Sequence, residues 1–195
     1  AETEFLPGVY RWQYIEEALK KAQELGLRVV LGSGTHGSHY PTFVNAMPVR
    51  DQYGNFAERV NDPSKWEQHA TDVHLRYLRS QAARFRHHPA VVGYHLYGVS
   101  ILGHDRAEPI QIDHAAPVQD AFAEWLRGRG RDPYPVPDLL AVPGVPVYEL
   151  PPDLSREWQD FVDFQNHTVQ WLIGKRLAAV RSVDARRPFI IDRKP

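Results

Sequence analysis

The chain has 195 residues, of which 43% are hydrophobic and 24% are charged, and its formal net charge is -1. These values are typical of a folded globular protein, and the near-neutral charge, with Lys and Arg spread along the chain, predicts no nucleic-acid or membrane partner. Cysteine is absent, which excludes disulfides and thiolate metal sites, and no apolar run approaches the roughly 20 residues of a membrane span.

The first predicted elements are a helix followed by a strand. Residues 14–25 carry apolar side chains at helical spacing, and Gly26 supplies a stop signal. The short β-branched run 27–31, which ends at Gly32, is typical of a buried parallel strand. The apolar positions of the helix are Tyr14, Ile15, Ala18, Leu19, Ala22 and Leu25.

The same order of helix and strand recurs further along the chain. Residues 61–64 form a helix-start signal, and an apolar stripe follows until His88 and Pro89 end the helix. The run 90–96 then predicts a second strand. The stripe consists of Trp66, Ala70, Val73, Tyr77, Leu78, Ala82 and Phe85.

The last part of the chain predicts two helices and a third strand. The helices cover residues 116–126 and 156–183, and the strand covers 189–191. Between the helices, residues 128–152 are rich in proline without any period, which indicates an excursion rather than a core element. The alternation of helices and strands predicts an α/β fold with three parallel strands adjacent in chain order and helices on one face.

Substrates bind at the carboxyl ends of parallel strands, so the residues after each strand are candidates for a site. Residues 32–40, 97–100 and 192–194 occupy these places. Paired carboxylates would suit glycoside hydrolysis, but for the nearby acidic residues a solvated loop is the favoured interpretation. These acidic residues are Asp105, Glu108 and Asp113.

Other chemistries have weaker signals. The glycines of 32–37 match neither the dinucleotide nor the P-loop fingerprint. His36 and His39 lack a third metal ligand at a recognisable spacing, and His87 and His88 suit the carboxyl end of a helix. The sequence therefore predicts no cofactor and no metal site.

Several segments together carry a likeness to a known family. Residues 8–15 (GVYRWQYI) and 26–32 (GLRVVLG) look like the second helix and third strand of family 42 β-galactosidases. Residues 47–54 (MPVRDQYG) resemble the segment that follows, 88–96 (HPAVVGYHL) resemble the fourth strand, and 121–126 (AFAEWL) resemble the next helix. The resemblance implies that 1–195 form an incomplete (β/α)8-barrel domain, covering about the third to fifth strands.

The family follows its fourth strand with an Asn-Glu pair, in which the glutamate is the general acid/base. Here Gly98 stands in the place of the asparagine and Val99 in that of the glutamate. A valine cannot transfer a proton, a step typically worth 10²–10⁴-fold in rate. The family nucleophile follows the seventh strand, which the resemblance does not reach.

Three functions remain open at this point. The first is a segment of a retaining β-galactosidase-like hydrolase, inactive as it stands. The second is a non-catalytic carbohydrate-binding or scaffold protein, and the third is a designed or edited barrel fragment. The predicted partner is a carbohydrate, with self-association through uncovered sheet edges. The substrate-binding candidates are His36, Tyr40, His95 and Tyr97.

Overall fold

The computed structural model describes residues 4–32, 50, 64, 66–96, 113–137 and 156–191. The chain divides into two compact units. The first unit comprises residues 1–45, 69–99 and 172–195, and the second comprises 46–68 and 100–171. Each unit has its own cluster of buried apolar side chains.

The first unit contains a three-stranded parallel sheet. Its strands are β3 (Val29–Gly32), β4 (Val91–Leu96) and β5 (Phe189–Ile191), and they lie in the order β3-β4-β5. All neighbouring strands are parallel. The predicted set of three parallel strands adjacent in chain order is therefore confirmed.

Helices pack against one face of this sheet. They are α1 (Gln13–Glu24), α2 (Gln68–Phe85) and the last part of α4 (Arg156–Arg181). Gly26, with φ of +68°, follows the end of α1 in the left-handed conformation that favours glycine. The buried cluster consists of Leu19, Leu31, Leu78, Ala82, Phe85, Val91, Tyr94, Leu96 and Val180.

The predicted apolar face of α1 was too wide. Leu19 and Ala22 are buried as expected, but Tyr14 is 80% exposed and Ala18 is also exposed. Successive helical residues are about 100° apart, so Tyr14 lies one step round the helix from the half-buried Ile15. The prediction was likewise wrong for Leu25, which follows the helix and is exposed.

A short antiparallel hairpin was missed by the sequence analysis. Strands β1 (Glu4–Leu6) and β2 (Val9–Tyr10) pair with Glu4 opposite Tyr10. Gly8 lies in the turn with φ of +77°. Strands of two or three residues are too short to show an alternation of apolar and polar residues, so no periodic signal marks them.

The second unit is built around α3 (Ala116–Gly128) and the first part of α4. Tyr134 and Val136 pack into its core, although they belong to the proline-rich stretch that was predicted to be an excursion. The amide of Val136 donates to Oε1 of Gln119 at 2.9 Å, and the Tyr134 hydroxyl donates to Oδ2 of Asp160 at 2.7 Å. That prediction was therefore wrong for 128–137, because individual side chains can be buried without a periodic pattern of apolar residues in the sequence. Residues 138–152 lie outside the described residues.

None of the helices in the described ranges is both long enough and apolar enough to cross a membrane.

Candidate functional site

The candidate site lies at the carboxyl ends of β3, β4 and β5. His95 is half-buried, and it lies in register with Gly32 on one side and Ile190 on the other. Because side chains alternate along a strand, His95 faces away from the helices that cover Tyr94 and Leu96. The imidazole therefore lies on the face of the sheet opposite those helices, where its Nε2 atom is buried.

Apolar side chains share this face with His95. Val30 is 36% exposed and Ile190 is 49% exposed. A polar ring beside exposed aliphatic side chains is a mixed surface, which can contact both the hydroxyl groups and the apolar face of a ligand. Of the predicted site residues, the structure describes only His95. The others, His36, Tyr40, Tyr97, Gly98 and Val99, lie outside the described residues.

A buried glutamine of α2 fixes the end of β3. Gln81 is 4% exposed, and its Nε2 donates to the carbonyl oxygen of Gly32 at 3.3 Å and to the Tyr77 hydroxyl at 2.9 Å. Burial, with a contribution from Tyr10, raises the pKa of Tyr77 to about 12. Gln81 was not predicted from the sequence, although a polar residue between Leu78 and Ala82 of an apolar stripe is a signal that marks it.

A polar network lies around the turn that precedes β5. The Tyr94 hydroxyl and Nη1 of Arg187 both contact Oδ2 of Asp184, at 2.8 and 3.0 Å. The amides of Arg186 and Arg187 donate to Oδ1 of the same carboxylate. Arg187 also donates from Nε to the carbonyl oxygen of Val91, the first residue of β4. These contacts join β4 to the turn at the amino ends of the strands, the edge of the sheet opposite the candidate site.

Asp113 has a structural role rather than the solvated position predicted for it. It is buried, and its Oδ1 accepts the amides of Arg50 and Ala115 at 3.3 and 3.0 Å. The carbonyl oxygen of Arg50 in turn accepts the amide of His114 at 2.8 Å. The carboxylate thus organises the chain directly before α3. Asp105 and Glu108 lie outside the described residues.

The histidines at the end of α2 were predicted to suit a helix terminus. Helix α2 ends at Phe85, and Nδ1 of His88 accepts the amide of Ala90 at 3.2 Å. His88 therefore shapes the turn into β4. Within the part of the chain that the structure describes, no three His, Asp or Glu side chains are grouped to hold a metal ion.

No family model matches the sequence, and no curated protein matches it. Solved structures do match the fold. A β-galactosidase from Bacillus circulans sp. alkalophilus aligns with a TM-score of 0.68 at 12% identity, covering 93% of this chain and 29% of that chain. A β-galactosidase from the psychrophilic Marinomonas ef1 aligns with a TM-score of 0.64 at 19% identity, covering 95% and 30%.

A catalytic mutant of a GH42 β-galactosidase from G. stearothermophilus gives a TM-score of 0.63 at 17% identity, covering 95% of this chain and 28% of that chain. The chain therefore spans less than a third of the length of these proteins. At such identities the likeness establishes the fold. The predicted resemblance to family 42 β-galactosidases is confirmed at that level.

Proposed function

We propose that this chain is part of the barrel of a β-galactosidase-like glycoside hydrolase, supplying about its third to fifth strands, and that it does not hydrolyse glycosides as it stands. The observation that carries this proposal is the sheet: three parallel strands adjacent in chain order, in a fold similar over 93–95% of the chain to solved β-galactosidases. An α/β barrel is built by repeating that unit.

The expected inactivity follows from the carboxylates. Retaining hydrolysis needs two of them about 5–5.5 Å apart, one as acid/base and one as nucleophile. By the resemblance, Val99 occupies the acid/base position and the nucleophile belongs to a later strand. In the described part of the chain, the buried carboxylate nearest in sequence to Val99 is Asp113, whose Oδ1 is committed to two backbone amides.

Carbohydrate binding without cleavage is the second candidate. It is favoured by His95, whose half-buried ring shares a face with the exposed side chains of Val30 and Ile190. Together with His36, Tyr40 and Tyr97, this residue would supply hydrogen bonds and ring faces to a sugar. This function requires no acid/base, so it is compatible with valine at position 99.

Four proteins test the first proposal: the present chain and a form extended to include the missing strands of a closed barrel, each with the present Gly98-Val99 pair or with Gly98→Asn and Val99→Glu. Only the extended form with the restored glutamate should hydrolyse aryl β-galactosides, because it alone has both carboxylates. Turnover by the present chain would show that another residue is the acid.

Titration with methyl β-galactoside tests the second candidate, which requires saturable binding without turnover.

A further inference from the structure

The N-terminal hairpin has an unusual distribution of polarity. Glu4 on β1 is only 3% exposed, whereas the apolar pair Leu6 and Val9 is 55% and 45% exposed. A short hairpin normally buries its apolar side chains and leaves charged ones in water. Glu4 and the Leu6–Val9 pair therefore reverse the usual pattern in this hairpin.

The buried carboxylate is bound from two directions. Oε1 of Glu4 accepts the amide of Gly8, in the hairpin turn, at 2.7 Å. The same oxygen accepts Nη2 and Nε of Arg76, on α2, at 2.7 and 3.2 Å. Oε2 is buried and has no hydrogen-bond partner among the described residues. One carboxylate oxygen thus joins the hairpin turn to the helix.

The pair lies beyond the carboxyl end of the sheet. Helix α2 connects two parallel strands, so it runs against their direction, and Gln81 contacts Gly32, the last residue of β3. Arg76 precedes Gln81 by five residues, which corresponds to about 7.5 Å along the helix. Arg76 and Glu4 therefore lie on the side where substrates bind in α/β barrels.

Aromatic rings extend the contact of the hairpin with the rest of the first unit. Tyr10, opposite Glu4 in the hairpin, stacks on Trp12 with ring centroids 4.9 Å apart, and its ring lies 6.1 Å from that of Tyr77 on α2. Trp12 in turn stacks on Tyr77 at 5.8 Å. The position of the hairpin therefore determines where these rings lie.

This ion pair is weak evidence for a role in net stability, because the Arg76 side chain is 38% exposed and ion pairs that solvent reaches contribute little to stability. We propose instead that Glu4 and Arg76 are positioning residues, whose ion pair holds the β1–β2 hairpin and the Tyr10 ring on the sugar-binding side of the sheet. The inference rests on the proposed function for its ligand, but not for the placement of the hairpin.

The test compares the chain with the double variant Glu4→Met/Arg76→Met. Arg84→Met is the matched control, because Arg84 lies on the same helix as Arg76 and forms an exposed ion pair with Glu16 of α1. Four quantities are measured: the melting temperature, the nuclear Overhauser contact between the Tyr10 and Tyr77 rings, the exchange rate of the Gly8 amide, and the affinity for methyl β-galactoside.

The melting temperature of the double variant should lie within about 5 °C of that of the wild-type chain. The double variant should nevertheless weaken the ring contact and raise the Kd for the galactoside roughly tenfold, because the hairpin is displaced from α2. Exchange at Gly8 should also become faster, because its amide loses the Glu4 acceptor. Arg84→Met should change none of these. A folded double variant with unchanged ring contact and affinity would overturn the proposal.

A second variant keeps the test decisive if the double variant does not fold. Arg76→Lys retains the charge beside Glu4 but not the forked donor geometry. A folded Arg76→Lys variant with a weakened ring contact and lower affinity supports the positioning role. If Arg76→Lys behaves like the wild type while the double variant does not fold, the pair serves stability alone and the proposal is overturned. If the wild-type chain binds no galactoside, the proposed function fails, and the ring contact decides the role of the pair.

Discussion

The hydroxyl of Tyr94, on the central strand β4, donates a hydrogen bond to Oδ2 of Asp184 at 2.8 Å. Burial raises the pKa of Asp184, but the hydrogen bonds from Tyr94, from the backbone amide of Arg186 and from Arg187 outweigh it and lower the pKa to about 2 from an ordinary 3.8. The same contact, after burial itself, raises the pKa of Tyr94. The pair therefore favours a charged Asp184 and a neutral Tyr94 in the folded state.

This lowered pKa predicts an acid dependence of stability. Asp184 should contribute its full stabilisation above its unfolded pKa of 3.8 and lose it as the pH falls towards about 2. The expected loss is about 2 kcal/mol, measured by urea unfolding across this range. Asp184→Asn should remove this part of the pH dependence, whereas Asp163→Asn, at an exposed ion pair, should not. An unchanged profile in Asp184→Asn would contradict the assignment.

A second prediction concerns the close approach of β4 to Pro188. A Cβ atom at Gly93 would lie 2.9 Å from the carbonyl oxygen of Pro188, which accepts the amide of Tyr94. Gly93→Ala should therefore lower the free energy of unfolding by about 1–3 kcal/mol, because the backbone must shift. Gly174→Ala, in α4 with open space around the site, should instead stabilise by up to about 1 kcal/mol. Equal effects of the two substitutions would refute the argument.

A third prediction separates a structural Asp113 from a catalytic one. Asp113→Ala removes the acceptor for the amides of Arg50 and Ala115, and should cost about 1–3 kcal/mol of unfolding free energy. Asp113→Asn retains an oxygen acceptor and should recover most of this stability. In the extended form with glutamate at position 99, Asp113→Asn should leave turnover of aryl β-galactosides unchanged. A large loss of turnover in that folded variant would identify Asp113 as a participant in the reaction.

The fourth prediction concerns the face of the sheet opposite the helices. Val30 and Ile190 expose aliphatic side chains there, so we expect the isolated chain to self-associate or to bind a hydrophobic dye. Val30→Lys with Ile190→Lys should reduce both the light scattering and the dye fluorescence. Leu25→Lys, which changes an exposed leucine after α1, should reduce them less. A monomeric wild-type chain without dye binding would count against this expectation.

The positions of the helices and strands of the described chain were largely predictable from the sequence. The predicted helix 116–126 corresponds to Ala116–Gly128, and the predicted strand 90–96 corresponds to Val91–Leu96. Each of these elements buries one face, and burial imposes a period that the order of apolar residues records. The hairpin at Glu4–Tyr10 and the packed segment around Val136 lack such a period, and only the structure revealed them.

The candidate site was less predictable, for a physical reason. Sequence determined that polar and aromatic residues follow the strands, and that valine stands where the resemblance expects a glutamate. Only tertiary structure decided which distant side chains meet. Tyr94 and Asp184 are 90 residues apart in sequence and Glu4 and Arg76 are 72 apart, yet both pairs are within hydrogen-bond distance. Such contacts depend on how helices and strands pack, and local periodicity records which face is buried but not what lies opposite it.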